Sequence, residues 1–197
     1  MILDYIKTNW IEVVGAVLSL IYLYLSIKEK ISLWIFGFLS SAFYIIVFFD
    51  AKFYADMSLQ FYYLGVSVYG WFYWRNGNLN NDAILETTNI GRKLASKLTL
   101  ISIPIFFVYY VILAKFTDSP IPISDSIVGM LSIIGTWMLA KKLIENWLIW
   151  IAADTLATGL FFYKGLYITA ILFIIYTGMA IYGYIQWKKN LIVKIEA

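Results

Sequence analysis

Tyr69-Gly70-Trp71-Phe72-Tyr73-Trp74-Arg75 closes one apolar stretch of this 197-residue chain, and Tyr182-Gly183-Tyr184-Ile185-Gln186-Trp187-Lys188 closes another 113 residues later. Both read Tyr-Gly-x-x-x-Trp followed by a basic residue. With 16 Tyr, 12 Gly and 8 Trp in the chain, chance supplies roughly 0.04 such patterns, so two in one chain point to an internal repeat. The same offset pairs Tyr54 with Tyr167, Tyr63 with Tyr176, Trp34 with Trp147 and Lys28 with Lys141. Trp and Tyr gather at membrane interfaces wherever helices end, but that tendency does not align a whole set at one spacing. Duplication explains more of the pattern, and duplicated membrane halves suggest a transporter.

Composition places those halves in a bilayer. Hydrophobic residues make up 62% and charged residues 14%, with a mean hydropathy of +0.79; a soluble domain is about 45–50% apolar and about 25% charged. The chain has no Cys and no His, which excludes disulfides, thiolate nucleophiles, imidazole bases and the zinc and haem sites built on those ligands. Neither an enzyme nor a cofactor-bearing protein is expected. The net charge of +3 is too small to imply nucleic acid. The opening Met1-Ile2-Leu3-Asp4-Tyr5-Ile6-Lys7 has no basic n-region and no small-residue cleavage site, so no removable signal peptide is expected.

Apolar stretches fall at about 11–27, 31–49, 57–74, 98–114, 126–140, 147–163 and 166–187, each near the ~17–25 residues that cross a bilayer as helix. The reading is an all-α integral membrane protein of seven transmembrane helices in a 3+1+3 arrangement. Repeat one covers about 10–75, a linker loop and the fourth helix about 76–123, and repeat two about 124–189. The single fourth helix returns the chain to its starting side, so the copies run parallel, a plan known among transporters. The loop at 76–97 is polar, ends in a basic cluster and reads as a solvated linker. Ser119-Pro120-Ile121-Pro122 cannot continue a helix and should turn the chain into the second copy.

Of the fifteen Lys and Arg, eleven fall in loops 1–2, 3–4, 5–6 and the C-terminal tail, and four (Lys7, Lys52, Lys115 and Lys164) on the other side. The positive-inside rule then puts the C-terminus in the cytoplasm and the N-terminus outside.

Asp154 is the one acidic residue placed deep in a span. A carboxylate at a helix centre costs about 2.5–3.5 kcal/mol on insertion scales and ordinarily faces a cavity, a partner or a substrate. No Lys or Arg lies deep enough to neutralise it, which leaves a protonated, hydrogen-bonded carboxyl or a substrate cation or hydroxyl as its partner. Trp150, Asp154 and Thr158 recur every four residues and share one helix face. An aromatic wall beside an acceptor suits a flat cationic or heteroaromatic ligand. Trp147 reads as an interface anchor. The repeat maps Asp154 onto Ser41. Gln60 carries an amide that hydrocarbon leaves unsatisfied, and joins the candidate site unless it bonds another helix. Tyr63 and Tyr176 are related by the repeat, and one of them is expected to line the site. Tyr44, Ser67, Thr136 and Thr177 are further candidates, although such residues commonly pack or bond backbone carbonyls.

With these residues assembled, the chain resembles the PnuC family of bacterial vitamin transporters, whose members move nicotinamide riboside. The resemblance runs from about residue 10 to 187. It rests on Trp10-Ile11-Glu12, Lys28-Glu29-Lys30-Ile31-Ser32, Tyr54-Ala55-Asp56 through Leu59-Gln60, Tyr69-Gly70-Trp71, and Glu145-Asn146-Trp147-Leu148-x-Trp150. It implies an architecture similar to the SWEET sugar transporters, a homotrimer, a central site occluded between the halves, and facilitated diffusion with trapping by a cytoplasmic kinase that feeds NAD biosynthesis. Trp150 and Gln60 agree with the family. Asp154 departs from it, standing where nicotinamide riboside carriers have Asn. Relatives that carry thiamine, also cationic, keep a thiamine transporter open as the alternative; riboflavin is neutral and less suited to a buried carboxylate. A rhodopsin needs a Schiff-base Lys in the last span, and an aspartyl protease needs paired carboxylates; both are absent. A non-transporting receptor or scaffold is the remaining alternative from another class.

Overall fold

The computed structural model describes residues 10–50, 54–77 and 85–195. Seven helices follow one another: α1 (Trp10–Ile27), α2 (Leu33–Asp50), α3 (Tyr54–Gly77), α4 (Arg92–Phe116), α5 (Pro122–Ala140), α6 (Asn146–Tyr163) and α7 (Tyr167–Ile195). No strand occurs among the described residues, only an isolated bridge between Thr88 and Leu143. Five helices are individually long and apolar enough to cross a membrane; α3 and α6 are not. Length is not what they lack, at 24 and 18 residues. Their polar side chains, among them Gln60 in α3 and Asn146 and Asp154 in α6, lower their hydropathy. These two helices carry most of the candidate site residues.

The chain divides into two compact units, Met1–Leu85 and Glu86–Ala197. In the first, α2 packs against both α1 and α3. In the second, α6 packs against α5 and α7, and α4 packs on α5, where the Tyr109 ring lies over Gly129.

Inside each unit the Tyr-Gly-x-x-x-Trp motif does the same thing. In the first, the Trp34 ring presses so closely on α3 at Gly70 that a Cβ there would overlap it, and it meets Trp74 edge-on at 5.6 Å and 89°. In the second, a Cβ on Gly183 would lie 2.7 Å from the Trp147 ring, which meets Trp187 at 5.6 Å and 87°. Only glycine lets an indole lie flat on a neighbouring helix, and edge-to-face packing then favours a second aromatic one turn on. All four indoles are at most 3% exposed. This corrects the reading of Trp147 as an interface anchor: packing on glycine, not the headgroup region, decides its position.

The corners agree as closely. Glu29 (φ 53°) and Lys142 (φ 57°) are the non-glycine residues with positive φ among the described residues, and they stand 113 apart. Seven backbone hydrogen bonds described around the α1–α2 corner, from Lys28 N–H to Tyr24 C=O through Phe36 N–H to Ser32 C=O, recur from Lys141 to Ile149 around the α5–α6 corner. Lys28 lies 6.0 Å over the Tyr24 ring and Lys141 lies 5.9 Å over Trp137.

Part of the stretch read as a linker at 76–97 is helix. Helix α3 runs to Gly77, and Arg92, Lys93 and Lys97 already belong to α4. Thr88 donates its N–H to Lys142 C=O (3.1 Å) and accepts from Ile144 N–H (3.0 Å). Ile90 N–H reaches both carboxylate oxygens of Glu145, at 2.9 and 3.0 Å. Ile90, Leu94 and Leu98 also pack on the core of Ile134, Met138 and Leu143. The residues leading into α4 are therefore docked at Thr88 and Ile90, where the backbone of Lys142 and Ile144, a carboxylate and an apolar face hold them, while Glu86, Asn89 and Gly91 stay exposed. The turn into α5 is as expected, with Ile121 at the cap and Pro122 opening the helix, where a missing N–H costs nothing.

Candidate functional site

Four of the seven candidate residues lie in the second unit. Asp154 sits eight residues into α6, about 12 Å from its start at 1.5 Å per residue. It is only 6% exposed, and no hydrogen bond or ion pair to its carboxyl group is found among the described residues. The carboxyl group is thus buried without the partner that a structural role would require. One turn earlier, Trp150 is half-buried, its indole nitrogen 3.2 Å from the position a Cβ on Gly135 of α5 would take. One turn later, Thr158 donates its hydroxyl to the Asp154 backbone carbonyl at 2.8 Å, which leaves that hydroxyl only its lone pairs for a ligand. Tyr176 on α7 is half-buried and stands 5.5 Å edge-on from Phe173.

The other three lie in the first unit. Ser41 on α2 is buried. Gln60 and Tyr63 on α3 are half-buried, and the Tyr63 ring lies 5.8 Å from Tyr62. Among the further candidates, Thr136 and Thr177 bond the carbonyls one turn back, at 2.8 and 2.9 Å, as small hydroxyl residues in bundles do. Ser67 is buried and, with the Tyr22 ring, closes over Gly37, where a Cβ would lie 3.1 Å from the Ser67 hydroxyl and 2.9 Å from the ring. Tyr44 stacks on Phe48 at 5.6 Å.

Reading the sequence alone overlooked the polar knot between α1 and α2. Ser19 and Ser40 hydroxyls stand 2.7 Å apart, and each also reaches Gly15 C=O, at 3.0 and 3.1 Å. Two serines at this spacing carry no signal until the helices are packed. Gly135 was equally silent, though the repeat matches it with Tyr22 in the first copy. A hollow of about 250 Å3 beside α2 and α3, lined by Trp34, Phe38, Ser67 and Trp71 among others, has almost wholly apolar walls and no charged side chain among them.

A family model described as "Nicotinamide mononucleotide transporter" matches residues 9–189. The nicotinamide riboside transporter PnuC of Escherichia coli is 26% identical over 206 residues, covering 92% of this chain and 86% of that protein. Its namesake in Neisseria mucosa is 27% identical over 195 residues, 92% and 73% of the two chains. The riboflavin/roseoflavin transporter RibM of Streptomyces davaonensis is 23% identical over 189 residues, 90% and 84%. The crystal structure of the vitamin B3 transporter PnuC superposes with a TM-score of 0.72 at 24% identity, over 94% of this chain and 85% of that one, a likeness of fold.

Proposed function

The chain belongs to the nicotinamide mononucleotide transporter family, PnuC among its members, and on that premise we propose that it takes up nicotinamide riboside by facilitated diffusion. It is a multi-pass bacterial membrane transporter and not an enzyme.

The observation that carries the substrate is Asp154, buried and unpartnered in the middle of α6. The family description names the mononucleotide and the relatives' names the riboside; electrostatics separates them. A phosphate carries about −1.5 to −2 charges at neutral pH, and bringing it to a buried carboxylate adds like-charge repulsion to the cost of desolvation. The riboside has only the pyridinium charge, which Asp154 attracts, and a flat ring for the Trp150 face. Substrate contacts are assigned to Asp154, Trp150, Gln60, Tyr63, Tyr176, Ser41 and Thr158. The two copies run from about 10–75 and 124–189, joined by the loop and fourth helix at about 76–123; the matched corners and Trp pairs support this division. The N-terminus is outside and the C-terminus cytoplasmic, by the basic-residue count. A homotrimer and a trapping cytoplasmic kinase follow from the family resemblance.

Uptake of radiolabelled nicotinamide riboside into proteoliposomes tests the reading. Saturable uptake that unlabelled riboside competes and the mononucleotide does not is expected. Preferred uptake of thiamine would move the protein to that alternative, and no uptake of any vitamin would favour a receptor or scaffold.

A further inference from the structure

The two corner hairpins, α1–α2 and α5–α6, share the hydrogen-bond pattern of their tight turns, so what distinguishes them lies away from the turn. At the far end of α5–α6, Lys164, which caps α6, reaches both oxygens of Asp125 in the first turn of α5, at 2.8 and 3.0 Å. Ser119 donates to the same carboxylate at 2.6 Å. The two charged side chains are only 21% and 22% exposed, so water and salt screen the pair less than they would at a surface. The turn end of this hairpin is gripped as well, by Thr88 and by Ile90 on Glu145. Helices α5 and α6 are held at both ends.

Helices α1 and α2 carry their polar contacts in the middle, and toward the end away from the turn they meet through apolar side chains, Trp10 standing edge-on to Phe43 at 6.4 Å. Their described cross-helix hydrogen bonds include the Ser19–Ser40 contact and Ser40 on Gly15 C=O, with the Tyr44 phenol also approaching Ser19. Ser19 lies eight residues from the end of α1 and Ser40 seven residues into α2, about 12 and 10 Å from the turn. The end staples have no counterparts at the same positions: 113 residues before Lys164 stands Ala51, without charge, and before Glu145 stands Ser32, without a carboxylate. Glu12 keeps the acid of Asp125. Gly15 lets the helices approach closely there, a Cβ on it being 3.3 Å from the Tyr44 ring; in the second copy that place is taken by Val128 and the tyrosine's by Ala157. A close crossing bonded by short hydroxyls at its middle, with a ring contact beyond, permits rocking, whereas an ion pair at the far end does not.

Taking the chain as a transporter, as proposed above, we infer that the α1–α2 hairpin is the moving element of the cycle, its ends away from the turn parting about the Ser19–Ser40 contact, while α5–α6 moves as one rigid pair.

The chain contains no cysteine, so spin labels can be placed without a background to remove. One labelled pair, Val17→Cys with Phe49→Cys, reports α1 and α2 beyond the Ser19–Ser40 contact and leaves the Trp10–Phe43 contact in place; another, Ile123→Cys with Tyr163→Cys, reports the far ends of α5 and α6. All four positions are exposed. Electron-electron double resonance in liposomes, with labelled protein diluted in unlabelled protein, should show two distances or a broad distribution for the first pair, redistributed by saturating nicotinamide riboside. The second pair should give one narrow, unmoved distance, which Lys164→Met broadens. A single narrow α1–α2 distance, as would follow if Lys52 took over the staple to Glu12, overturns the inference, and so does an α5–α6 distribution equally broad without mutation. Contrasting pairs that ignore the riboside support the hinge and count against the substrate.

Discussion

The indole nitrogen of Trp150 lies 3.2 Å from where a Cβ on Gly135 would stand, so α5 leaves open the place where the aromatic ring of α6 crosses it. In the first copy the arrangement is reversed: Tyr22, at the position of Gly135, lays its ring over Gly37, at the position of Trp150. Each hairpin takes one aromatic ring at this crossing, supplied by opposite helices. Gly135→Ala should need a shift of the ring by a few tenths of an ångström and cost little, whereas Gly135→Val should overpack the crossing by about 1–3 kcal/mol. We expect riboside uptake to survive the first and fall at least about tenfold with the second, the size of a 1.4 kcal/mol loss. Uptake kinetics beside thermal unfolding in detergent would show it; unchanged kinetics in Gly135→Val would separate Trp150 from the substrate.

Asp154→Ala should abolish or greatly weaken uptake while the protein still inserts, since one buried carboxylate fewer favours the membrane helix. Asp154→Asn keeps size and hydrogen bonding and deletes the charge. With nicotinamide riboside as substrate, the Asn variant should retain substantial uptake, in line with the Asn that the family resemblance puts there; with thiamine, thiamine uptake should fall further than riboside uptake. Wild-type uptake by both variants would make Asp154 structural and shift the site to Gln60 and the tyrosines.

Gly70→Ala and Gly183→Ala should destabilise the protein comparably, by about 1–3 kcal/mol each, because each drives a Cβ into a buried indole. Thermal unfolding of the two variants in one detergent checks this. A large effect at one position alone would mean that the copies do not share their packing.

Uptake should run down the riboside gradient, because the spans offer one deep carboxylate and no second relay group. Liposomes with an imposed pH gradient should therefore equilibrate the unmodified riboside without concentrating it. Accumulation above equilibrium would establish proton coupling.

Reporter fusions after Ala197 and within the 76–81 loop should both behave as cytoplasmic, given eleven basic residues on that side against four on the other. Extracellular behaviour of both would invert the topology.

Composition and periodicity by themselves determined that this is a helical membrane protein, roughly where seven helices lie, and that Trp34, Gly70 and Trp74 correspond to Trp147, Gly183 and Trp187. These are properties of residue type and spacing, which hydrocarbon selects directly and which a duplication preserves. The isolation of Asp154 was legible for the same reason, since no basic residue lies deep in any span. Tertiary structure alone decided that the indoles are buried on glycines rather than anchored at an interface. It also decided that Thr158 spends its proton on its own helix, that Ile90 is clamped by Glu145, and that the polar contacts of α1–α2 fall at its middle while those of α5–α6 fall at its ends. Each of these depends on which side chain on one helix meets which on the next, over distances of about 3 Å, and the spacing of residues along a single helix carries no record of its neighbour.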